Sequence, residues 1–284
     1  MPSIGAMIAT GAVRLSRGPH AERARRDAES LLLHLFPNKN RAWVVAHADE
    51  ELSDSRAANY ASLVERRLGG EPTQYIKGEA EFYGLPFYVT PDVLIPRPET
   101  EHLVEKVVAL APLFSRTRIV DVGTGSGVIA IALAHEWPDA ELTAIDVSVP
   151  ALELARRNAE RIGFADRIRF LQGDLVAPVK DERFEIIVSN PPYVPATDRA
   201  SLSVEVRDHE PGLALFAGPD GLDVYHRLIP AAFAVLESGG YLVMEIGYGQ
   251  SDAVAGLLKE SGFDQIGFIP DLQGIPRVAC GQRP

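Results

Sequence analysis

The chain of 284 residues holds one cysteine, Cys280, so no intrachain disulfide can form. The neighbours of Cys280 in "RVACGQ" fit a buried strand thiol rather than a nucleophile, and a reducing, cytoplasmic setting is the expectation. Long apolar runs are missing too: no stretch approaches the roughly 18 apolar residues of a membrane span. The opening "MPSIGAMIATGAVRLSR" has a short apolar stretch with no basic segment ahead of it, which argues against a secretion signal. Internal repeats and low-complexity tracts are absent. Basic residues are outnumbered, 28 Lys and Arg against 39 Asp and Glu, for a net charge of −11. The imbalance is uneven, because residues 1–78 carry 11 basic and 9 acidic side chains whereas the rest carries 17 and 30. Most of the chain would repel a nucleic acid backbone, and no direct nucleic acid contact is expected. What remains is an ordinary globular composition, 46% hydrophobic and 24% charged, long enough for one large domain and a smaller one.

The pattern changes near residue 78. Before it, apolar residues recur at helical spacing in "AESLLLHLF" and "RAANYASLVERRLGG", where Ala57, Ala61, Val64 and Leu68 share a face and Gly69-Gly70 supplies a stop. Residues 1–78 therefore read as a small all-helical domain of four or five helices. The stretch "EAEFYGLPFYVTPDVLI", broken by Gly84 and Pro86, reads as a β-hairpin linker over residues 79–97. In "PRPETEHLVEKVVAL", Pro98 suits a first helical position, Glu99 and Glu101 complement the positive helix end, and Leu103, Val104, Val107 and Val108 form a buried stripe. From residue 117 seven strand-like runs alternate with several helices: "RIVDVG", "ELTAIDV", "RIRFLQGD", "FEIIVSN", "GYLVMEIG", "FDQIGFI" and "RVACGQ". Such alternation predicts an α/β fold over residues 98–284, a doubly wound, parallel, seven-stranded sheet.

Three strand ends carry chemistry. The first runs into Asp121-Val122-Gly123-Thr124-Gly125-Ser126-Gly127, where glycines let the backbone turn tightly and approach a ligand at the C-terminal edge of the sheet. A dinucleotide fingerprint counted from Gly123 would need glycine at Val128, so D-x-G-x-G-x-G suits a ligand with no pyrophosphate. Asp146 closes the second strand, where a carboxylate can accept both hydroxyls of a ribose. Asp174 and Leu175 follow the third and can flank an adenine ring. Singly, each is an ordinary strand-end residue. Together they describe a pocket for S-adenosylmethionine formed by Gly123, Thr124, Gly125, Ser126, Gly127, Asp146, Asp174 and Leu175. No metal is expected.

The fourth strand ends in Asn190-Pro191-Pro192-Tyr193, beside that pocket. Proline lacks an N–H and has a fixed φ, so the Pro191 carbonyl can be held towards a ligand, and the Asn190 side-chain oxygen is a second acceptor. Two acceptors can grip the two N–H bonds of a planar nitrogen, raise its electron density and align it with a methyl donor. Tyr193 can pack over the planar group. These features resemble the class I methyltransferases that act on amino or amide nitrogens, and the tetrapeptide alone leaves adenine and glutamine open as substrates.

The flanks "LIPRPETEHLVE", "EPTQYIKGEAEFYGLPF" and "DLQGIPRV", with the helical domain ahead of them, resemble the HemK/PrmC family of release factor glutamine methyltransferases over essentially the whole chain. The resemblance implies methyl transfer to N5 of the glutamine in the Gly-Gly-Gln motif of class I peptide chain release factors, in support of translation termination. It implies cofactor contacts from the glycine loop, Asp146, Leu175 and Asn190, and a grip on the glutamine by Asn190, Pro191, Pro192 and Tyr193. At the Leu175 position the family can carry an aromatic residue, so stacking on adenine is not implied here. The alternatives are an adenine-amino methyltransferase acting on nucleic acid, for which no large basic target-recognition region is visible, and a silent adaptor that binds release factors through its helices. Because a glutamine side chain offers few atoms, residues 1–78 are the expected substrate-recognition domain.

Overall fold

A computed structural model describes residues 1–114 and 117–284. Packing divides the chain into two units, Met1–Glu79 with Leu202–His209, and Ala80–Ser201 with Glu210–Pro284. The hairpin expected as a linker over 79–97 packs almost wholly with the second unit. A short segment from late in the chain packs with the first.

The first unit is built on five helices: α1 (Ile4–Leu15), α2 (Ala24–His34), α3 (Arg41–Ala46), α4 (Asp54–Leu68) and α5 (Thr73–Lys77). Ser3, Asn40 and Ser53 cap α1, α3 and α4 by accepting from the backbone N–H groups of Ala6, Trp43 and Arg56, which satisfies donors that a helix start leaves free. Ile4, Ile8, Leu31, Leu32, Leu52, Tyr60 and Val64 fill its core. Of the expected face of α4, only Val64 is fully buried; the buried face is Tyr60, Val64 and Arg67. Polar tips account for the shift. The Tyr60 hydroxyl donates to the Ala28 carbonyl at 3.1 Å, and Arg67 Nε donates to Asp27 Oδ2 at 2.6 Å. Arg67 also pairs with Glu205, which Arg23 Nη2 approaches at 3.3 Å, and these ion pairs fix the late segment Leu202–His209 in this unit.

The second unit opens with the hairpin β1 (Glu79–Phe82) and β2 (Leu85–Tyr88). Its turn places Tyr83 and Gly84 at positive φ, the geometry that suits the twist of a two-residue hairpin. The main sheet comprises β3 (Arg118–Val122), β4 (Glu141–Asp146), β5 (Ile168–Gln172), β6 (Phe184–Ser189), β7 (Leu236–Glu245), β8 (Asp264–Pro270) and β9 (Pro276–Gln282). Its order is β5-β4-β3-β6-β7-β9-β8. Helices α6 (Glu101–Leu110), α7 (Val128–Glu136) and α8 (Val149–Ile162) contribute to the core on one face. After the short α9 (Val204–His209), α10 (Asp223–Val235) and α11 (Ser251–Glu260) cover the other.

All seven strand-like runs form strands, but the sheet is mixed rather than parallel. Strands β3 to β7 are parallel, and β9 runs antiparallel to both β7 and β8. The connection from β8 to β9 contains no helix, and a short connection can join only antiparallel strands. Cys280 lies buried on β9, where burial pushes its thiol up to about 11. In β3 every residue but Arg118 is buried, and in β6 every residue but Glu185, as strands covered on both faces require. The order reverses between β3 and β6, and there a doubly wound sheet opens its ligand crevice.

Candidate active site

At that crevice the C-terminal ends of four strands surround a cavity of about 410 Å³. Beyond β3 the backbone N–H groups of Gly123 and Thr124 both donate to the Ile145 carbonyl, at 2.8 and 3.0 Å, which folds the loop over the end of β4. Gly123 and Gly125 line the cavity at positive φ, and a Cβ on either would meet no protein atom within 4 Å. Thr124 and Ser126 line it as well. Gly127, expected as a fifth contact, is not in the wall. It precedes α7 at φ +84, and a Cβ there would lie 3.1 Å from Ala155 Cβ and from Ile131 Cδ1, so its glycine serves the packing of α7 against α8. Under the loop, fully buried Asp121 accepts from Thr124 Oγ1 at 2.6 Å, and burial pushes its carboxyl up to about 7. Asn158 of α8 donates to the Ser126 carbonyl at 2.9 Å and brackets the backbone of Tyr88, which ties the loop to the hairpin.

Asp146 closes β4 in the cavity wall. Its Oδ2 accepts from Gly125 N at 2.8 Å and its Oδ1 from Ser148 N at 2.9 Å, so the carboxylate is aimed before any ligand arrives. Burial raises its pKa while these backbone donors pull it back. Asp174 and Leu175 follow β5 and line the same cavity. Leu175 sits at φ +51, an uncommon conformation for a residue with a side chain, and Asp174 is exposed and paired with Arg227 of α10.

Asn190, Pro191 and Pro192 form the wall beyond β6, whose last residue, Ser189, anchors the strand end by donating to the Val122 carbonyl at 2.7 Å. Tyr193 stands apart from them. Its hydroxyl donates to Glu245 Oε1 at 3.1 Å, and it does not line the cavity in which it was expected to pack over the reacting group. Its carbonyl is held by Gln250 Nε2 at 3.0 Å. The structure thus brings together Gly123, Thr124, Gly125, Ser126, Asp146, Asp174, Leu175, Asn190, Pro191 and Pro192 in one wall, with buried Gly127 and half-buried Tyr193 outside it.

Other residues of the site escaped the sequence reading. Arg97 lines the cavity and donates to buried Glu210 at 2.6 Å, and Thr100 joins Asn190 to Glu245 at the end of β7. A signal for Glu245 was present, a carboxylate inside the apolar run "YLVMEIG" at the end of a strand. Burial raises its pKa, offset by bonds from Thr100 and Tyr193.

Residues 8–78 match the family described as PrmC N-terminal domain, and residues 99–205 match Methyltransferase small domain. The release factor glutamine methyltransferase of Koribacter versatilis is 43% identical over 260 residues, with 91% of each chain covered. The protein of that name from Xylella fastidiosa strain 9a5c is 39% identical over 284 residues, covering 100% of this chain and 99% of that one. The chain belongs to the release factor glutamine methyltransferase family. Among solved structures, the 16S rRNA N2 G1207 methyltransferase of Thermus thermophilus, in complex with AdoMet and guanosine, superposes with a TM-score of 0.54 at 20% identity. It covers 72% of this chain and 50% of its own, a likeness of fold. Family membership and the geometry agree on the cofactor. The open faces of Gly123 and Gly125, the aimed carboxylate of Asp146 and an apolar wall at Leu175 fit the polar tail, ribose and base of S-adenosylmethionine.

Proposed function

We propose that this protein methylates the side-chain amide nitrogen of the glutamine in the Gly-Gly-Gln motif of class I peptide chain release factors. The observation that carries the reading is that Asn190, Pro191 and Pro192 share one cavity with the glycine loop and Asp146. The cofactor, when bound, supplies a methyl on a positively charged sulfur, and transfer forms one nitrogen–carbon bond as the carbon–sulfur bond breaks with its electron pair going to sulfur. Everything else falls to the chain. An amide nitrogen is a poor nucleophile because its lone pair is delocalised into the carbonyl. Acceptors on its two hydrogens, the Asn190 Oδ1 and the Pro191 carbonyl, would restore electron density to nitrogen and orient it. Pro191 is suited to this, having a fixed φ and no N–H to compete. The methylated amide cation is strongly acidic, so its extra proton passes to water without a dedicated base.

Mass spectrometry of an intact release factor incubated with this protein and S-adenosylmethionine should find one methyl on the Gly-Gly-Gln glutamine. Methyl incorporation into DNA or RNA adenine, with none into release factor, would overturn the reading.

A further inference from the structure

Behind the Asn190 wall runs a buried chain of polar groups. Asn190 Nδ2 donates to Thr100 Oγ1 at 3.1 Å, Thr100 Oγ1 donates to Glu245 Oε2 at 2.6 Å, and the Tyr193 hydroxyl donates to Glu245 Oε1 at 3.1 Å. Thr100 and Glu245 are each only 2% exposed. The backbone of Glu245 is fixed as well, its carbonyl accepting from the Tyr225 hydroxyl at 3.0 Å.

The direction of this chain follows from counting protons. A threonine hydroxyl has one proton and two lone pairs, and Glu245, which takes a hydroxyl on each oxygen, can in its ionised form only accept. The short bond to Glu245 consumes the Thr100 proton, so Thr100 can offer Asn190 only a lone pair. Asn190 must answer with its NH₂. Its oxygen is then the end of the amide left for the cavity.

We infer that Thr100 and Glu245 are positioning residues which set the orientation of the Asn190 amide, keeping its oxygen rather than its NH₂ for the substrate nitrogen. The inference rests on the function proposed above. An asparagine amide has nearly the same shape in both orientations, so packing alone does not choose between them. The choice matters, because a flipped amide would present N–H donors to a substrate group that itself has only N–H bonds to give. Tyr193 has a place in the same device: its hydroxyl occupies the second oxygen of Glu245, leaving Oε2 for Thr100. This gives the tyrosine of the motif a task behind the wall.

The test sets two near-isosteric changes against each other. Thr100→Val keeps the methyl and removes the hydroxyl, whereas Thr100→Ser keeps the hydroxyl and removes the methyl. With intact release factor as substrate, Thr100→Val should lower kcat by roughly tenfold or more, the scale on which one misdirected hydrogen bond in a reacting site is felt. Its affinity for S-adenosylmethionine by calorimetry, and its melting transition, should stay close to wild type. Thr100→Ser should recover most of the lost turnover. Glu245→Gln, which must turn an NH₂ towards Thr100 or Tyr193, should lower kcat in the same way, and it provides a second reading should Thr100→Val fold poorly. The opposite ranking, Val active and Ser impaired, would assign Thr100 to packing and overturn the inference, as would full activity of both Thr100→Val and Glu245→Gln. Wild-type protein inactive on release factor would instead sink the functional reading, and this inference with it.

Discussion

Replacing Asp146 by alanine isolates the carboxylate that the fold aims into the cavity. Each of its oxygens already accepts one backbone N–H, from Gly125 at 2.8 Å and from Ser148 at 2.9 Å, and each keeps a second acceptor position. Two ribose hydroxyls would fill those positions. A hydrogen bond to a charged group is worth about 1.5–3 kcal/mol net, so loss of this carboxylate should weaken S-adenosylmethionine binding by about 2 kcal/mol or more. That corresponds to roughly 30-fold in Kd. Asparagine should not rescue affinity, because its NH₂ would have to face the N–H of either Gly125 or Ser148. Isothermal calorimetry measures the loss directly, and thermal melting separates it from unfolding. Asp146 is only partly buried, so water can reach the backbone donors it leaves behind, and the transition should move by no more than about 5 °C. Unchanged affinity in a folded Asp146→Ala protein would refute the assignment of this residue to the ribose.

Gly127→Ala should cost about 1–3 kcal/mol of stability, read as a fall in melting temperature, because its Cβ would crowd Ala155 and Ile131 at 3.1 Å. Gly125→Ala meets no such neighbour and should instead lose cofactor affinity with a smaller fall in stability; equal behaviour of the two variants would contradict the division of the loop into packing and binding glycines. Asn190→Ala should lower turnover roughly a hundredfold or more while melting close to wild type, and near-normal turnover would remove Asn190 from the grip on the amide. Asp121 retains its proton in the folded state up to about 7, whereas the unfolded chain releases it near pH 4. Its contribution to stability is therefore complete below pH 4 and is lost as pH rises through about 7, with a slope of at most about 1.4 kcal/mol per pH unit. Asp121→Asn should remove that slope, and melts between pH 5 and 8 that run parallel for the two proteins would count against it.

The parts legible in the sequence were those written as local patterns. Alternating apolar runs gave the strands, and the residues at their C-terminal ends marked the four strand-end segments of the cavity wall. What escaped depends on partners distant in the chain. Whether Gly127 binds or packs is decided by Ala155 on another helix, and Tyr193 is turned from the cavity by Glu245, 52 residues later. The antiparallel β9 follows from a missing crossover helix between the last two runs, a signal present but unused. The face of α4 was misplaced by one step because Arg67 reads as a surface residue until Asp27 and Glu205 are seen beside it.

The same arginine bears on how the expected role of the helices in substrate recognition can be tested. A domain over residues 1–78, joined by a short hairpin, would be an accessory that could be cut away with the catalytic half left whole. The packing says otherwise, since Leu202–His209 belongs with the helices and begins nine residues beyond Tyr193. Removing residues 1–78 would take Arg67 and Arg23 from Glu205, leaving a carboxylate that is 13% exposed in the intact unit without the cations around it. On the far side of the segment the chain is fastened again, where Arg97 of the cavity wall holds Glu210. The stretch that leaves the Asn-Pro-Pro-Tyr motif is thus committed at one end to the helical unit and at the other to the wall of the site. Point changes on the exposed surfaces of α1 to α5 test recognition without disturbing that strap, and a truncation does not.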